Sequence, residues 1–564
     1  MSSKLISIIP QSFRGRAVGV VITIFLRALL NFVGIATLIP ALILILDSDN
    51  ATSNPHVRAA FEMLNVDSYE MFVIVVCVAV VALITLKNTL VLLLYRHERD
   101  FIYALYKHLS ESLYISYHNR GLSFVKSSNS ALLTRNVNVV SLMFVAGVLK
   151  PVAAIISETL LLLLIMGALL WYNITAALIA ACVFMPIIIF FYLTMRRRLH
   201  NIGERENEAQ RTKSRIVAET FRGYADIEIG GAFPQMLSRF ERAMDEVVAL
   251  RKRNAIISML PQMFTEVGLT IGLATLMLIS ITDSGNTAVM FGIFAVAAIR
   301  LIPSIRSMMS SWSTIRYNRY SIDTLAEADI EATQRVPEVC NERIAFEREL
   351  RIDDLSFRFD DAHSNTISNF SLTIRKGERI GIKGSSGAGK TTLFNLILGL
   401  YPATSGAIYV DATKLDASNM RRWQNSIGYV SQSVFIADGT VIDNIALGYD
   451  KDSIDHNRIN EVIKLADLKD FVSTLPDGVN SRIGEQGSRL SGGQRQRIGI
   501  ARALYKGADV LFFDEATSAL DDRTEENINN AIRTLSNKNR ALTIVVIAHR
   551  DSSLEYCDRI ISLD

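Results

Sequence analysis

Two hydrophobic patterns divide this chain. Before about residue 320, apolar residues come in long runs; after about residue 346 they come in short bursts between glycine-rich and charged stretches. A helix that spans a bilayer takes roughly 20 mostly apolar residues. Six stretches reach that length, near 17–46, 70–95, 139–170, 174–195, 258–281 and 287–312. Buried helices of a soluble protein would not account for them. The run Leu160-Leu161-Leu162-Leu163-Leu164-Ile165-Met166 is apolar all round and has no face to turn to water. The pattern predicts a six-helix membrane domain over 1–325, a linker over 326–345 and an α/β domain over 346–564.

Loop charges orient the spans, because Lys and Arg collect on the cytoplasmic side. Arg14 and Arg16 precede the first span, and Arg96, Arg99, Lys107, Arg120 and Lys126 follow the second. Arg196-Arg197-Arg198, then Arg205, Arg211, Lys213, Arg215 and Arg222, follow the fourth. The 47–69 loop has only Arg58 beside four acidic residues, and the loops near 172 and 283 have no Lys or Arg. Both termini are therefore expected in the cytoplasm, with the first span an anchor and not a cleaved leader. A net charge of +3 gives no basic surplus for nucleic acid, and Cys77, Cys182, Cys340 and Cys557 show no metal-ligand spacing.

The short bursts of the second half carry the chemistry. Gly384-Ser385-Ser386-Gly387-Ala388-Gly389-Lys390-Thr391 fits the phosphate-binding P-loop, with a strand-like run before it and a helical run from Thr392 after it. Glycines let backbone N–H groups turn toward phosphate oxygens, and the helix that follows points its positive end at the same anion. Lys390 is expected at the β- and γ-phosphates and Thr391 at Mg²⁺. Downstream, Val510-Leu511-Phe512-Phe513 reads as a strand buried on both faces and ends in Asp514-Glu515. Asp514 is placed to hold Mg²⁺ and Glu515 to polarise the attacking water. The sequence Leu490-Ser491-Gly492-Gly493-Gln494 opens another helix and so forms a second anion-binding helix start. One domain cannot readily turn both helix starts toward the same phosphate.

With these motifs in order, residues 346–564 resemble the nucleotide-binding domain of an ABC transporter. The resemblance implies that Phe359 stacks on adenine and that Gln432 senses Mg²⁺ and the attacking water. It makes Ser491, Gly492, Gly493 and Gln494 the signature, Asp521 of Ser518-Ala519-Leu520-Asp521 the D-loop aspartate, and His549 the switch histidine. Gly484-Glu485-Gln486-Gly487 resembles the loop that exporters carry before the signature. In that family two domains pack head to tail, each signature closing the other's P-loop. One set of motifs thus implies a half-transporter that pairs with a second copy of the chain, using ATP and Mg²⁺. The long, helix-patterned segments 96–138 and 196–257 resemble the type IV exporter architecture, whose short coupling helices are expected near Leu113–Asn119 and Arg222–Glu228.

The cargo has to be read from charges inside the spans: Arg27, Lys87, Lys150, Glu158, Glu266 and Arg300. Such residues are costly in lipid and point either to function or to internal pairing. Arg27 and Lys150 read as structural. Lys87 and Arg300 lie on helices that line the central cavity of this fold, and a basic ring there suits an anionic head with a lipid tail. Leu260-Pro261, Glu266 and Arg300-Leu301-Ile302-Pro303-Ser304 are similar to bacterial lipid-linked-oligosaccharide flippases, although Gln262 stands where a basic residue is expected. The expectation is an ATP-driven flippase in a bacterial cytoplasmic membrane, carrying an amphipathic molecule such as a polyprenyl-pyrophosphate-linked glycan. A multidrug or peptide exporter of the same fold is one alternative, and an ATP-gated channel or regulatory membrane ATPase is the other.

Overall fold

The computed structural model describes residues 7–37, 69–172, 174–282, 287–328, 340–359, 362–484, 487, 489–515, 526, 530, 533–534, 541–548 and 554–563. It divides into two compact units, Met1–Arg120 with Phe124–Val336, and Pro337–Asp564 with Gly121–Ser123.

The first unit is helical throughout its described residues. Helix α1 is Gln11–Ala36, α2 is Tyr69–Asn119 and the short α3 is Gly121–Ser127. Helix α4 starts at Ser130–Arg135, passes through π-helical turns at Asn136–Val140 and Val145–Leu149, and continues as Lys150–Tyr172. Then come α5 (Ile174–Arg222), the short α6 (Tyr224–Ile229), α7 (Phe233–Thr282), α8 (Thr287–Tyr317) and α9 (Arg319–Glu327). Among the described residues, α1, α2, α4, α5 and α7 are long and apolar enough to cross a membrane. At most 28% of any of their apolar windows is buried within the chain. Leu83, Leu86, Leu163 and Ile189 are all more than half exposed. A bare apolar band of this extent suits lipid and not water, and a helix satisfies its own backbone there. The far end of the first expected span, 38–46, lies outside the described residues.

Two cores hold these helices together. Leu161, Phe184, Phe191, Leu301 and Ile305 join α4, α5 and α8. Leu105, Leu109 and Leu113 of α2 meet Val140, Phe144 and Val148 in the π-turn region of α4, with Ile322 and Leu325 of α9. Arg27 of α1 forms an ion pair with Glu98 of α2, both side chains largely buried. Removing either partner would strand a buried charge, so the pair is a structural clamp. The short helix expected near Leu113–Asn119 is instead the end of α2; the separate one is α3, two residues beyond. Nothing in 113–119 stops a helix, whereas Gly121 takes a φ of +78° and breaks the run. The second short helix, α6, follows Gly223.

The second unit contains β1 (Glu349–Phe357), β2 (Ile367–Arg375), β3 (Arg379–Lys383), β4 (Ser405–Val410), β5 (Thr413–Lys414), β6 (Ile427–Val430), β7 (Val510–Asp514), β8 (Thr543–Ile547) and β9 (Arg559–Ser562). The antiparallel sheet has the order β2-β1-β4-β5, and the other sheet, parallel throughout, has the order β6-β7-β8-β3-β9. Every residue of β7 and β8 is buried, which explains their unbroken apolar sequences. Helix α10 (Lys390–Ile397) follows β3, and Trp423 packs beneath it on the helix Met420–Ser426. Trp423 is fully buried, and its indole N–H donates to the Ile397 carbonyl at 2.9 Å, satisfying one of the open carbonyls at the end of α10. Trp423→Ala should therefore lower stability by about 3–5 kcal/mol. Thermal unfolding of the purified chain checks this, and an unshifted transition for the second unit would contradict it.

Candidate functional site

In a parallel sheet all strands point the same way, so their C-terminal ends share one edge, where α/β sheets bind ligands. That edge collects the expected site. The chain leaves β3 at Lys383 and enters the P-loop at once. Gly384 runs so close to the Leu563 carbonyl that a Cβ there would sit 2.3 Å from its oxygen. Gly387 and Gly389 have φ of +89° and +91°, a left-handed backbone that favours glycine. Ser385 and Ser386 are exposed at the loop's rim, with Ala388 between the two left-handed glycines. No side chain caps α10, so its first N–H groups depend on the backbone, solvent or a bound anion. Lys390 is buried, and its ammonium donates to the carbonyls of Gly384 and Ser385, both at 2.9 Å. The charge is thereby anchored inside the loop, on the residue directly before Thr391 and Thr392.

Strand pairing brings the remaining groups together. Val430 pairs with Phe513, so Gln432, just beyond β6, comes level with the residues that end β7. Its side-chain N–H donates to Glu515 Oε2 at 2.9 Å. Thr391 Oγ1 donates to Asp514 Oδ1 at 3.3 Å, and Asp514 itself is buried. Glu515 has a φ of +48°, unusual for a residue with a Cβ, while its N–H donates to the Ile547 carbonyl at the end of β8. Strained backbone of this kind clusters at functional sites. Phe359 lies beyond the end of β1, edge-on to Phe357 at 4.8 Å and to Tyr401 at 5.6 Å, in an aromatic cluster able to support a flat base.

Tyr429 is a group that the motif reading passed over. Its hydroxyl donates to Asp514 Oδ2 at 3.4 Å. Burial first, and the Asp514 carboxylate second, push the phenol well above its ordinary range, so it remains a neutral donor at physiological pH. In sequence it looks like one more apolar strand residue. Only the pairing of β6 with β7 sets it against the carboxylate.

The signature forms a second, separately built helix start. Ser491 caps α11 (Gly492–Tyr505): its hydroxyl accepts from Gln494 N–H at 3.2 Å, while Gln494 Oε1 accepts from Ser491 N–H at 2.8 Å. This capping box fixes the entry of the helix and gives Gln494 a local structural task. Gly493 is buried in the first turn. Leu490, Ile498 and Ile500 root α11 in one core, while Leu393, Phe394 and Ile397 root α10 in another. Asp521 of the expected D-loop, the switch candidate His549, and Glu485 and Gln486 of the loop before the signature lie outside the described residues.

Comparison with known proteins agrees with this geometry. The profile of the ABC transporter family matches residues 367–518. A solved structure described as a bacterial Atm1-family ABC exporter with ATP bound superposes with a TM-score of 0.75 at 21% identity, covering 98% of this chain and 94% of the other. Residues 367–518 thus match the ABC transporter family, and the chain has the fold of that exporter. Curated relatives named ATP-dependent lipid A-core flippase include one from Burkholderia pseudomallei (strain 1710b), 31% identical over 374 residues. Another, from Cupriavidus metallidurans, is 32% identical over 375 residues. In both cases the match covers 65% of this chain and only 61–62% of the relative, less than two thirds of its length.

As in other ABC transporter domains, the P-loop and the end of β7 offer oxygen donors. Thr391 hydroxyl, Gln432 amide and Asp514 carboxylate form a set that a hard cation such as Mg²⁺ accepts. Bound there, Mg²⁺ would neutralise charge on the triphosphate. Lys390→Ala should abolish ATP retention. Glu515→Gln should still bind ATP but turn over about 10²–10⁴-fold more slowly. Near-normal turnover in an ATPase assay would remove Glu515 from its assigned role. Tyr429→Phe, which loses the hydrogen bond to the Asp514 carboxylate, should raise the Mg²⁺ concentration for half-maximal turnover about 10-fold.

Proposed function

We propose that this chain is one half of an ATP-driven flippase: two copies pair, bind and hydrolyse ATP, and move an amphipathic lipid across a bacterial cytoplasmic membrane. The observation that carries the reading is the meeting of Lys390, Thr391, Gln432, Asp514 and Glu515 at one sheet edge, in a chain whose other unit has an exposed apolar surface. Lys390 and the P-loop N–H groups hold the phosphates. Asp514 with Thr391 positions the cation. Glu515, steadied by Gln432, receives the proton of the attacking water. The signature of one copy closes the P-loop of the other, consistent with α10 and α11 being rooted in separate cores.

ATP closure then converts an inward-open pathway into an outward-open one, and hydrolysis resets it. The Lys and Arg distribution supports cytoplasmic termini. Relatives named ATP-dependent lipid A-core flippase support a lipid cargo, and the basic residues within the spans support an anionic head on it. Lys87 and Arg300 are the proposed contacts for the anion. Lys87 lays its stem against Gly34 and donates to Asn31 Oδ1 at 3.4 Å, joining α1 and α2; Arg300 lies on α8, its side chain outside the described residues.

The test is flipping of fluorescent lipids in proteoliposomes. ATP should drive transfer of an anionic glycolipid, and Glu515→Gln should stop it. Replacing Lys87 and Arg300 with Ala should slow the anionic glycolipid more than a neutral one. Equal slowing of both would sink the basic-ring contact, and no ATP-driven transfer of any lipid would sink the flippase reading.

A further inference from the structure

Gln432 reaches Glu515 from a loop, and a loop holds a side chain only as firmly as it is itself held. After β6 the chain runs from Ser431 to Thr440 before the short helix Val441–Ile445 begins. Much of what holds this stretch is α11. Val434 lies directly on that helix, where a Cβ on Gly499 would sit 2.9 Å from Val434 Cγ2. Ile436 is buried in the same core as Leu490 and Ile498. Arg502, in the last turn of α11, donates through Nη2 to the Phe435 carbonyl at 2.9 Å and through Nε to the Asn444 carbonyl at 2.8 Å. Asn444 is fully buried and closes the loop on itself. Its Oδ1 accepts from the Ala437 N–H at 2.8 Å, and its Nδ2 donates to the carbonyls of Ala437 and Thr440, both at 3.0 Å.

A cation near a helix C-terminus commonly bonds the last carbonyls of its own helix and complements the macrodipole. On α11 other residues do this. Arg343 donates to the carbonyls of Lys506 and Gly507, and Arg458 to that of Leu504. Arg502 directs its donors to a different segment of the chain. Among the described residues no carboxylate stands beside it: burial lowers the pKa of its guanidinium, with no acidic neighbour to raise it. A half-buried charge bonded only to neutral acceptors is costly. What it supplies is geometry, because a planar fork of five N–H groups fixes two carbonyls at once.

We propose that Arg502 is a positioning residue for ATP hydrolysis: by pinning Phe435 and Asn444 to the signature helix, it holds Gln432 where it steadies Glu515. The inference rests on the roles of Gln432 and Glu515 in the function proposed above. Gln432 stands three residues before Phe435, so freedom at that carbonyl passes into its backbone. A misplacement of about 1 Å, even one that starts far from the chemistry, can cost about 10²-fold in rate. ATP binding has separate support, since α10 is rooted in the other core.

The experiment is a double-mutant cycle on the ATPase of the purified full chain in phospholipid nanodiscs. Arg502→Gln should lower kcat about 10–100-fold and leave the KM for ATP unchanged. Gln432→Ala should also lower kcat. Adding Arg502→Gln to it should cost no further rate, since a residue that acts through Gln432 then has nothing to position. Arg502→Lys keeps the charge and one donor but loses the fork, so its rate should fall between wild type and Arg502→Gln. It carries the same cycle if Arg502→Gln does not fold. Arg343→Ala removes bonds at the end of the same helix and should turn over as wild type. Losses that multiply in the double variant would overturn the proposal, because Arg502 would then act independently of Gln432. Equal loss in Arg343→Ala would make Arg502 a brace of α11, and a raised KM at unchanged kcat would move it to ATP binding; either overturns the proposal. A fully active Gln432→Ala would overturn it by removing Gln432 from the site. No turnover in the wild type would sink the function proposed above and this inference with it, whereas wild-type turnover with multiplying losses sinks only the inference.

Discussion

Parallel pairing of β6, β7, β8 and β3 governs where charge can gather in the second unit. Because these strands run one way, the P-loop after β3, Gln432 after β6 and Asp514-Glu515 at the end of β7 emerge on one edge, although they span more than a hundred residues of sequence. The register is as important as the direction. A slip of one residue would reverse the face of every side chain in β7 and carry Asp514 away from Thr391 and Tyr429. Full burial of β7 and β8 resists that slip, since it would draw Asp514 from the strand's end into the apolar interior. The left-handed backbone at Glu515 is held by the same arrangement, through its hydrogen bond to Ile547.

The same unit keeps its two anion-binding helix starts apart in construction. Lys390 and the uncapped start of α10 belong to the loop after β3, whereas Ser491 and Gln494 cap α11 with each other. The first start is left uncapped, as the proposed seat of the phosphates requires. The second is already organised by its own cap, which in the proposed pairing lowers the ordering cost of closing on a nucleotide held elsewhere.

The membrane unit follows a different rule. Its helices carry apolar side chains outward as well as into their two cores, unlike the helices of a soluble bundle. Arg27 and Glu98 neutralise each other between α1 and α2, and Lys87 reaches Asn31 across the same pair. Where α4 meets α9, the Asn318 side chain occupies the space that a Cβ on Gly147 would take, 2.5 Å from it. Gly147 lies in the second π-turn, so the irregularity in α4 and this close approach occur at one place.

Local order in the chain was enough to establish much of this. Long apolar runs have no stable state in water, so they announce membrane helices without any knowledge of packing. The P-loop is legible because its chemistry depends on consecutive backbone groups, and the signature because its cap closes over three residues. Tertiary structure decided whatever depends on groups far apart in sequence. Tyr429 acquired a role only when β6 paired with β7, and Arg27 became a clamp only when α1 met α2. The short helix expected at 113–119 moved to Gly121–Ser127, because a single left-handed glycine outweighed the general pattern. The burial of Glu206 was invisible beforehand: no periodicity records that its carboxylate will meet Arg251 from another helix. Short-range motifs survive in one dimension because their geometry is fixed by adjacent residues, whereas burial, pairing and register are properties of the folded neighbourhood.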